Sequence, residues 1–255
     1  MTPLTILVLA QGKGLRWQNV DQAGVPAPPV GLKQLIPVLG ETLVGRTYRQ
    51  FKTACKVDPI IIGPPDLLLT LGPDFRGLTL HNPGEHVLDG MLALAHRGLW
   101  EPGRDTLFVL GDVLFSDLAV RMIEREIRRM SGPDFHVTDD RFLFGRRHPN
   151  LVSEKEASEC FALFIGVGSY WPTLDLVRRI GDRGSTVFCP KPWAFPRLVR
   201  ELPPDIRMDR GMWQLPDGWM LESNDYTDDC DSMVEYIAFW PPMLEAARKE
   251  AASPT

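Results

Sequence analysis

Two acidic sites more than a hundred residues apart, one lysine in an apolar stretch and one glycine-rich turn carry the most suggestive chemistry in this 255-residue chain. The turn is Leu9-Ala10-Gln11-Gly12-Lys13-Gly14-Leu15-Arg16-Trp17, directly after an apolar run. Glycines at 12 and 14 allow left-handed backbone angles and a close approach to a ligand. Successive amides can then form an anion-binding nest, to which Lys13 and Arg16 add charge. The spacing is not that of a Walker A loop, because no G-K-[ST] follows. Nor does it fit a dinucleotide fingerprint, since Trp17 stands where the third glycine belongs.

Lys33 lies in Gly31-Leu32-Lys33-Gln34-Leu35-Ile36-Pro37-Val38. A lone lysine among apolar residues usually snorkels at the surface. After a glycine-rich nest, in a loop able to fold back over the same pocket, its compact charge instead suits a triphosphate. Asp112 ends the apolar segment Phe108-Val109-Leu110-Gly111-Asp112. There it is either a turn or cap residue, or a carboxylate at the mouth of a cleft. The run Asn224-Asp225-Tyr226-Thr227-Asp228-Asp229-Cys230-Asp231-Ser232-Met233-Val234-Glu235 reads as a solvated turn, with Asp231 or Ser232 able to cap a following helix. His81-Asn82-Pro83-Gly84-Glu85-His86 is a loop before a helix, and Gly145-Arg146-Arg147-His148 is the densest basic patch.

The elements that must position these residues alternate between strands and helices. Strands are expected at Thr5 to Leu9, Pro59 to Ile62, Leu78 to Leu80 and Asp105 to Leu110. Helices are expected at Thr42 to Ala54, Val87 to Gly98 and Leu118 to Met130. This alternation predicts a parallel, doubly wound α/β sheet, in which ligands sit at the carboxyl ends of strands. Both the glycine-rich turn and Asp112 fall at such ends. Beyond 130 the pattern loosens. Short strands at Phe135 to Val137 and Arg141 to Phe144 suggest a hairpin across Asp139-Asp140. Cys160 to Gly166 reads as a strand, and Thr173 to Ile180 and Pro242 to Ala252 as helices. Residues 189–219, rich in proline and tryptophan, read as loops, and Trp171, Trp193, Trp213 and Trp219 could stack on a sugar.

Apolar residues make up 44% and charged residues 24%, with a formal net charge of −5. Such a chain has no global basic field for a nucleic-acid backbone, so none is expected as a partner. The four cysteines are scattered without a C-x-x-C pair, which suits a reducing compartment such as the cytoplasm. No apolar run approaches the length of a membrane span.

Taken together, L-A-x-G-x-G-x-R-W, K-Q-L-I-P-V and G-E-T-L-V-G-R-T resemble the opening of the sugar-phosphate nucleotidyltransferases, which include the MobA-like and IspD-like pyrophosphorylases. The resemblance implies a GT-A-type, Rossmann-like three-layer sandwich with a mostly parallel mixed sheet. It implies one domain over 1–255, with an NTP-binding half at 1–130 and an acceptor-binding half at 131–240 that carries an irregular insertion. It further implies that Leu9, Ala10, Gln11, Gly12, Lys13 and Gly14 wrap the nucleotide, joined by Asn82, Gly84 and Gly111, while Arg16 and Lys33 hold the triphosphate. Asp112 and Asp231 would bind Mg²⁺, with Asp229 as the alternative to Asp231; hard oxygen ligands are what this ion requires. Gln11 stands where the family commonly has Ala or Gly, Leu32 replaces a frequent proline, and Ser232-Met233-Val234-Glu235 departs from T-P-E-D.

The reaction expected is transfer of NMP from an NTP to a sugar or polyol phosphate, with release of pyrophosphate, in a protein that could be a homo-oligomer. Two other functions compete with it. One is a non-catalytic nucleotide-binding or regulatory protein of the same fold. The other is a nucleotide-sugar glycosyltransferase, which would usually carry D-x-D where Gly111-Asp112-Val113 stands.

Overall fold

The computed structural model describes residues 2–11, 33–80, 87–131, 140–149, 156–181, 198, 220–229 and 240–252. Continuous apolar runs become strands buried on both faces, as a parallel sheet requires. The first, β1 (Leu4–Leu9), has Ile6, Leu7 and Val8 fully buried. A short hairpin follows, β2 (Pro37–Val38) and β3 (Glu41–Thr42), closed by Leu39 and Gly40 with φ of 51° and 88°. Those two positive angles are what a two-residue hairpin turn demands, and a Gly at the second position meets one of them without strain.

Helix α1 (Leu43–Cys55) starts on Thr42, whose hydroxyl accepts from the Gly45 amide at 3.2 Å, and ends on Lys56 in the left-handed region. It buries Leu43, Val44, Thr47, Tyr48 and Phe51, one face at helical spacing. Next come β4 (Ile60–Ile62), α2 (Pro65–Leu71), β5 (Gly77–Leu78) and α3 (Val87–His96). Strand β6 (Asp105–Leu110) leads to β7 (Val113–Leu114) and α4 (Asp117–Met130). Then follow β8 (Arg141–Pro149), β9 (Glu156–Ile165), α5 (Tyr170–Gly181), β10 (Leu221–Ser223), β11 (Asp228–Asp229) and α6 (Trp240–Ala252).

Seven strands form one mixed sheet in the order β10-β8-β9-β6-β1-β4-β5. β4 is parallel to β1 and to β5, and β10 is parallel to β8, whereas β9 runs against both β6 and β8. This is the expected α/β architecture. Two local expectations are corrected. Arg141 to Phe144 does not pair across Asp139-Asp140; it opens the long strand β8, whose partner is β9, and Phe135 to Val137 lie outside the described residues. The Asp140 carboxylate instead accepts from the Gly168 amide at 2.8 Å, tying the start of β8 to the turn after β9. The third strand is Gly77–Leu78 rather than Leu78 to Leu80, because only two residues of this edge strand find partners, Ile61 and Ile62.

The chain divides into two compact units. Unit 1 comprises Met1–Ile6, Leu80–Val109 and Arg125–Asn224. The β8–β9 hairpin belongs to it, and so does a ring cluster in which Trp100 meets Phe108 and Tyr170 edge-on at 5.6 and 5.4 Å. Unit 2 comprises Leu7–Thr79, Leu110–Glu124 and Asp225–Thr255. Two apolar clusters fill it, one around Val8, Val44, Tyr48 and Ile61, the other around Ile36, Val38, Leu114 and Met243.

Candidate active site

Lys33 opens a single 3-10 turn, Lys33–Leu35, and the residues after it are anchors. Leu35 packs into the cluster with Val8, Ala10 and Val44, while Ile36 enters the other cluster with Leu43 and Leu114. The Ile36 amide donates to the Lys33 carbonyl at 3.2 Å, and its own carbonyl accepts from Leu43 at 2.9 Å. The backbone that carries the lysine is thus fixed by two buried neighbours facing different clusters. Its Nζ lies 2.5 Å from Oδ2 of Asp112, with side-chain exposures of 10% and 18%. Lys33 is therefore no snorkelling surface lysine. An ammonium so far removed from water is tolerable only when paired, and losing either partner would leave an uncompensated charge.

Asp112 is delivered by β6 through Gly111. The Gly111 amide donates to the Leu9 carbonyl at 2.9 Å, and a Cβ there would meet Ala10 Cβ at 3.0 Å and the Leu9 oxygen at 3.2 Å. Only glycine fits this approach without displacing backbone. Ala10, fully buried, donates its amide to Ile62 at 2.8 Å. Leu9, Ala10 and Gly111 thus come together immediately before Asp112, and the half-buried Gln11 continues from them. Gly12, Lys13, Gly14, Arg16, Asn82, Gly84 and Asp231 lie outside the described residues.

The start of the acidic run is held against the segment just after Asp112. β7 and β11 pair antiparallel, Asp228 opposite Leu114 and Asp229 opposite Val113. The fully buried Thr227 presents its hydroxyl oxygen to the Ser116 amide at 3.0 Å. The Ser116 hydroxyl donates to the Asp225 carboxylate and accepts from the Ala119 amide at 2.8 Å, so it caps α4 while binding the acidic segment. The other Asp225 oxygen accepts from the Thr227 amide at 2.8 Å. From α6, the Glu250 carboxylate accepts from the amides of Asp117 and Leu118 at 3.0 and 3.2 Å and from the Tyr226 hydroxyl at 2.5 Å. Burial, reinforced by that bond, pushes the Tyr226 phenol well above its usual pKa. Gln50 of α1 donates to the Phe115 carbonyl at 3.1 Å and to Asp117 at 2.7 Å.

Sequence reasoning missed Ser116, Thr227 and Glu250. A serine two residues before the amphipathic pattern that starts at Leu118 was the available signal for Ser116 as a cap. Glu250 gave none, since its partners lie 24, 132 and 133 positions away. Among the described residues no group of three or more His, Cys, Asp or Glu is arranged to hold a metal. Of the basic patch, Arg146 and Arg147 lie in β8 opposite Glu159 and Ser158 of β9. Trp171 is 61% exposed on α5, and Trp193, Trp213 and Trp219 fall outside the described residues. Cys55 and Cys160 are free thiols, and no helix among the described residues is long and apolar enough to cross a membrane.

No protein-family model matches the chain, and no curated protein matches it in sequence. Solved structures do. A nucleotidyl transferase from Methanothermobacter thermautotrophicus superimposes with a TM-score of 0.54 at 16% identity, over 95% of this chain and 98% of that one. A candidate glucose-1-phosphate thymidylyltransferase from Bacillus anthracis, in complex with sucrose, gives 0.53 at 15% identity over 96% and 95%. The CTP:phosphocholine cytidylyltransferase of Streptococcus pneumoniae gives 0.51 at 11% identity over 92% and 96%. The chain has the fold of these nucleotidyltransferases along nearly its whole length.

Proposed function

We propose that this protein is a Mg²⁺-dependent nucleotidyltransferase that moves NMP from an NTP to a phosphorylated acceptor, a sugar or polyol phosphate. The observation that carries this reading is the 2.5 Å pair of Lys33 and Asp112, two charges from distant segments that meet where Leu9, Ala10 and Gly111 converge. The names of the three structural neighbours support it at the level of reaction class.

In the reaction an acceptor phosphate oxygen attacks the α-phosphorus of the NTP. The bond from that phosphorus to the bridging oxygen breaks, and pyrophosphate leaves with the electron pair. The acceptor is already an anion, so no general base is needed. Lys33 and Arg16 neutralise charge on the phosphates, and the amides of Gly12 to Gly14 cradle them. A carboxylate that already holds a cation at 2.5 Å, at the end of a buried strand, has the charge and the hard oxygens a divalent ion needs. Asp112 and Asp231, or Asp229 in its place, would hold Mg²⁺, which when bound offsets phosphate charge and orients the triphosphate. The β7–β11 register favours this pairing, because Asp229 faces Val113, the neighbour of Asp112, and Asp231 is two residues further along. Residues 1–130 serve the nucleotide and 131–240 the acceptor.

A thermal-shift screen of ATP, CTP, GTP, UTP and dTTP, each with Mg²⁺ or with EDTA, tests this. A ligand bound only by the native state raises its stability by mass action. One nucleotide should stabilise the protein in a Mg²⁺-dependent way and, with the right acceptor, release pyrophosphate. Silence from all five would favour a non-catalytic protein of the same fold.

A further inference from the structure

Glu250 occupies the last turn of α6, where the helix dipole disfavours a negative charge. Its carboxylate is nevertheless fully engaged, by the first amides of α4 and by the Tyr226 hydroxyl. The α4 terminus supplies the positive field that Glu250's own helix denies it. One side chain therefore ties together the segment after Asp112, through Asp117 and Leu118, and the start of the acidic run, through Tyr226. The next residue, Thr227, bonds Ser116, and the β7–β11 ladder begins at Asp228. In an antiparallel ladder, any slip of one strand changes which residues face each other along its whole length.

We infer that Glu250 is a positioning residue for the metal-binding segment. It acts through the β7–β11 register, which sets the spacing between Asp112 and Asp229. This rests on the nucleotidyltransferase reading above. Tyr226 serves the same end, with its ring packed against the cluster of Ile36, Val38 and Leu114 and its hydroxyl on Glu250.

The test uses full-length Glu250→Gln and Tyr226→Phe, with Mn²⁺ as the probe. Bound Mn²⁺ is counted by electron paramagnetic resonance, alone and with each of the five NTPs, beside a melting curve. Glu250→Gln keeps the shape but loses the charge and one acceptor oxygen, and should weaken Mn²⁺ binding roughly two- to thirtyfold, the range for a residue coupled to a site it does not contact. Tyr226→Phe should produce a smaller loss in the same direction, and it carries the test if Glu250→Gln does not fold. Unchanged Mn²⁺ affinity in the folded variants, with only a lower melting temperature, would make Glu250 a helix cap and overturn the inference. Wild-type protein that binds Mn²⁺ in no arm would overturn the nucleotidyltransferase reading as well.

Discussion

In unit 1, the longest ladder among the described residues, β8 with β9, is backed by ring contacts such as Phe142 stacked on Phe164 at 5.1 Å. In unit 2, the β7–β11 ladder registers two residue pairs among the described residues and is held by directed bonds, from Ser116 to Thr227 and Asp225 and from Tyr226 to Glu250. Packing of the first kind fills space and tolerates exchange of one apolar shape for another. Directed bonds of the second kind fix atoms in angle as well as distance, and a removed partner leaves a buried group unsatisfied. The candidate chemistry sits beside the second kind.

The contrast can be tested where it should matter most. Asp112→Asn is expected to lower turnover on the order of a thousandfold, read as pyrophosphate release, because it removes charge stabilisation in the reacting centre. Retention of full activity would detach the chemistry from unit 2 altogether. Lys33→Met should weaken NTP binding roughly tenfold, about 1.4 kcal/mol. It should also strengthen Mn²⁺ binding in the absence of nucleotide, since Asp112 loses its competing cation. Unaltered Mn²⁺ affinity would mean that the 2.5 Å pair leaves the carboxylate free for metal.

A matched pair of smaller effects separates directed bonds from packing. Thr227→Val, nearly the same shape, leaves the Ser116 amide without its acceptor and should cost about 1–3 kcal/mol in urea unfolding. Phe142→Leu in unit 1 should cost about 1 kcal/mol and leave turnover per folded molecule unchanged. If only the unit 1 variant lost activity, the division proposed here would be reversed.

The smallest effect concerns Asp105. Burial holds its carboxyl above the ordinary value of 3.8, against the lowering pull of its bonds with Ser131 at 2.6 Å and the Val167 amide at 3.1 Å. A folded pKa above the unfolded one means its stabilising contribution is full below pH 3.8 and is lost as pH rises through the folded value. Asp105→Asn should therefore gain on the wild type as pH rises through that window. Urea midpoints of both proteins at acid and neutral pH decide it; a constant difference would mean Asp105 titrates normally.

What could be read in the sequence follows from how each element is stabilised. β6 was legible, Asp105 to Leu110, because its buried centre is written as the apolar run Leu107-Phe108-Val109-Leu110. α1 was legible because Leu43, Thr47 and Phe51 repeat at helical spacing. The two-residue ladders of β2–β3 and β7–β11 are too short to have a period. Lys33 offered only half its story. Its apolar neighbours were plain, but not that Leu35 and Ile36 would enter different clusters and hold the lysine in place.

Unit 2 is stitched from three stretches of chain, Leu7–Thr79, Leu110–Glu124 and Asp225–Thr255. On a ribosome that makes the N-terminus first, two of them wait for the third. Ser116 emerges long before Thr227 exists to meet its amide, and Glu250 arrives later still. The nascent protein can acquire its apolar strands early, but the clamp beside Asp112 closes only after Glu250 has been made. Messages cut short before Asp225 would yield chains that lack this clamp, however well their first strands had formed.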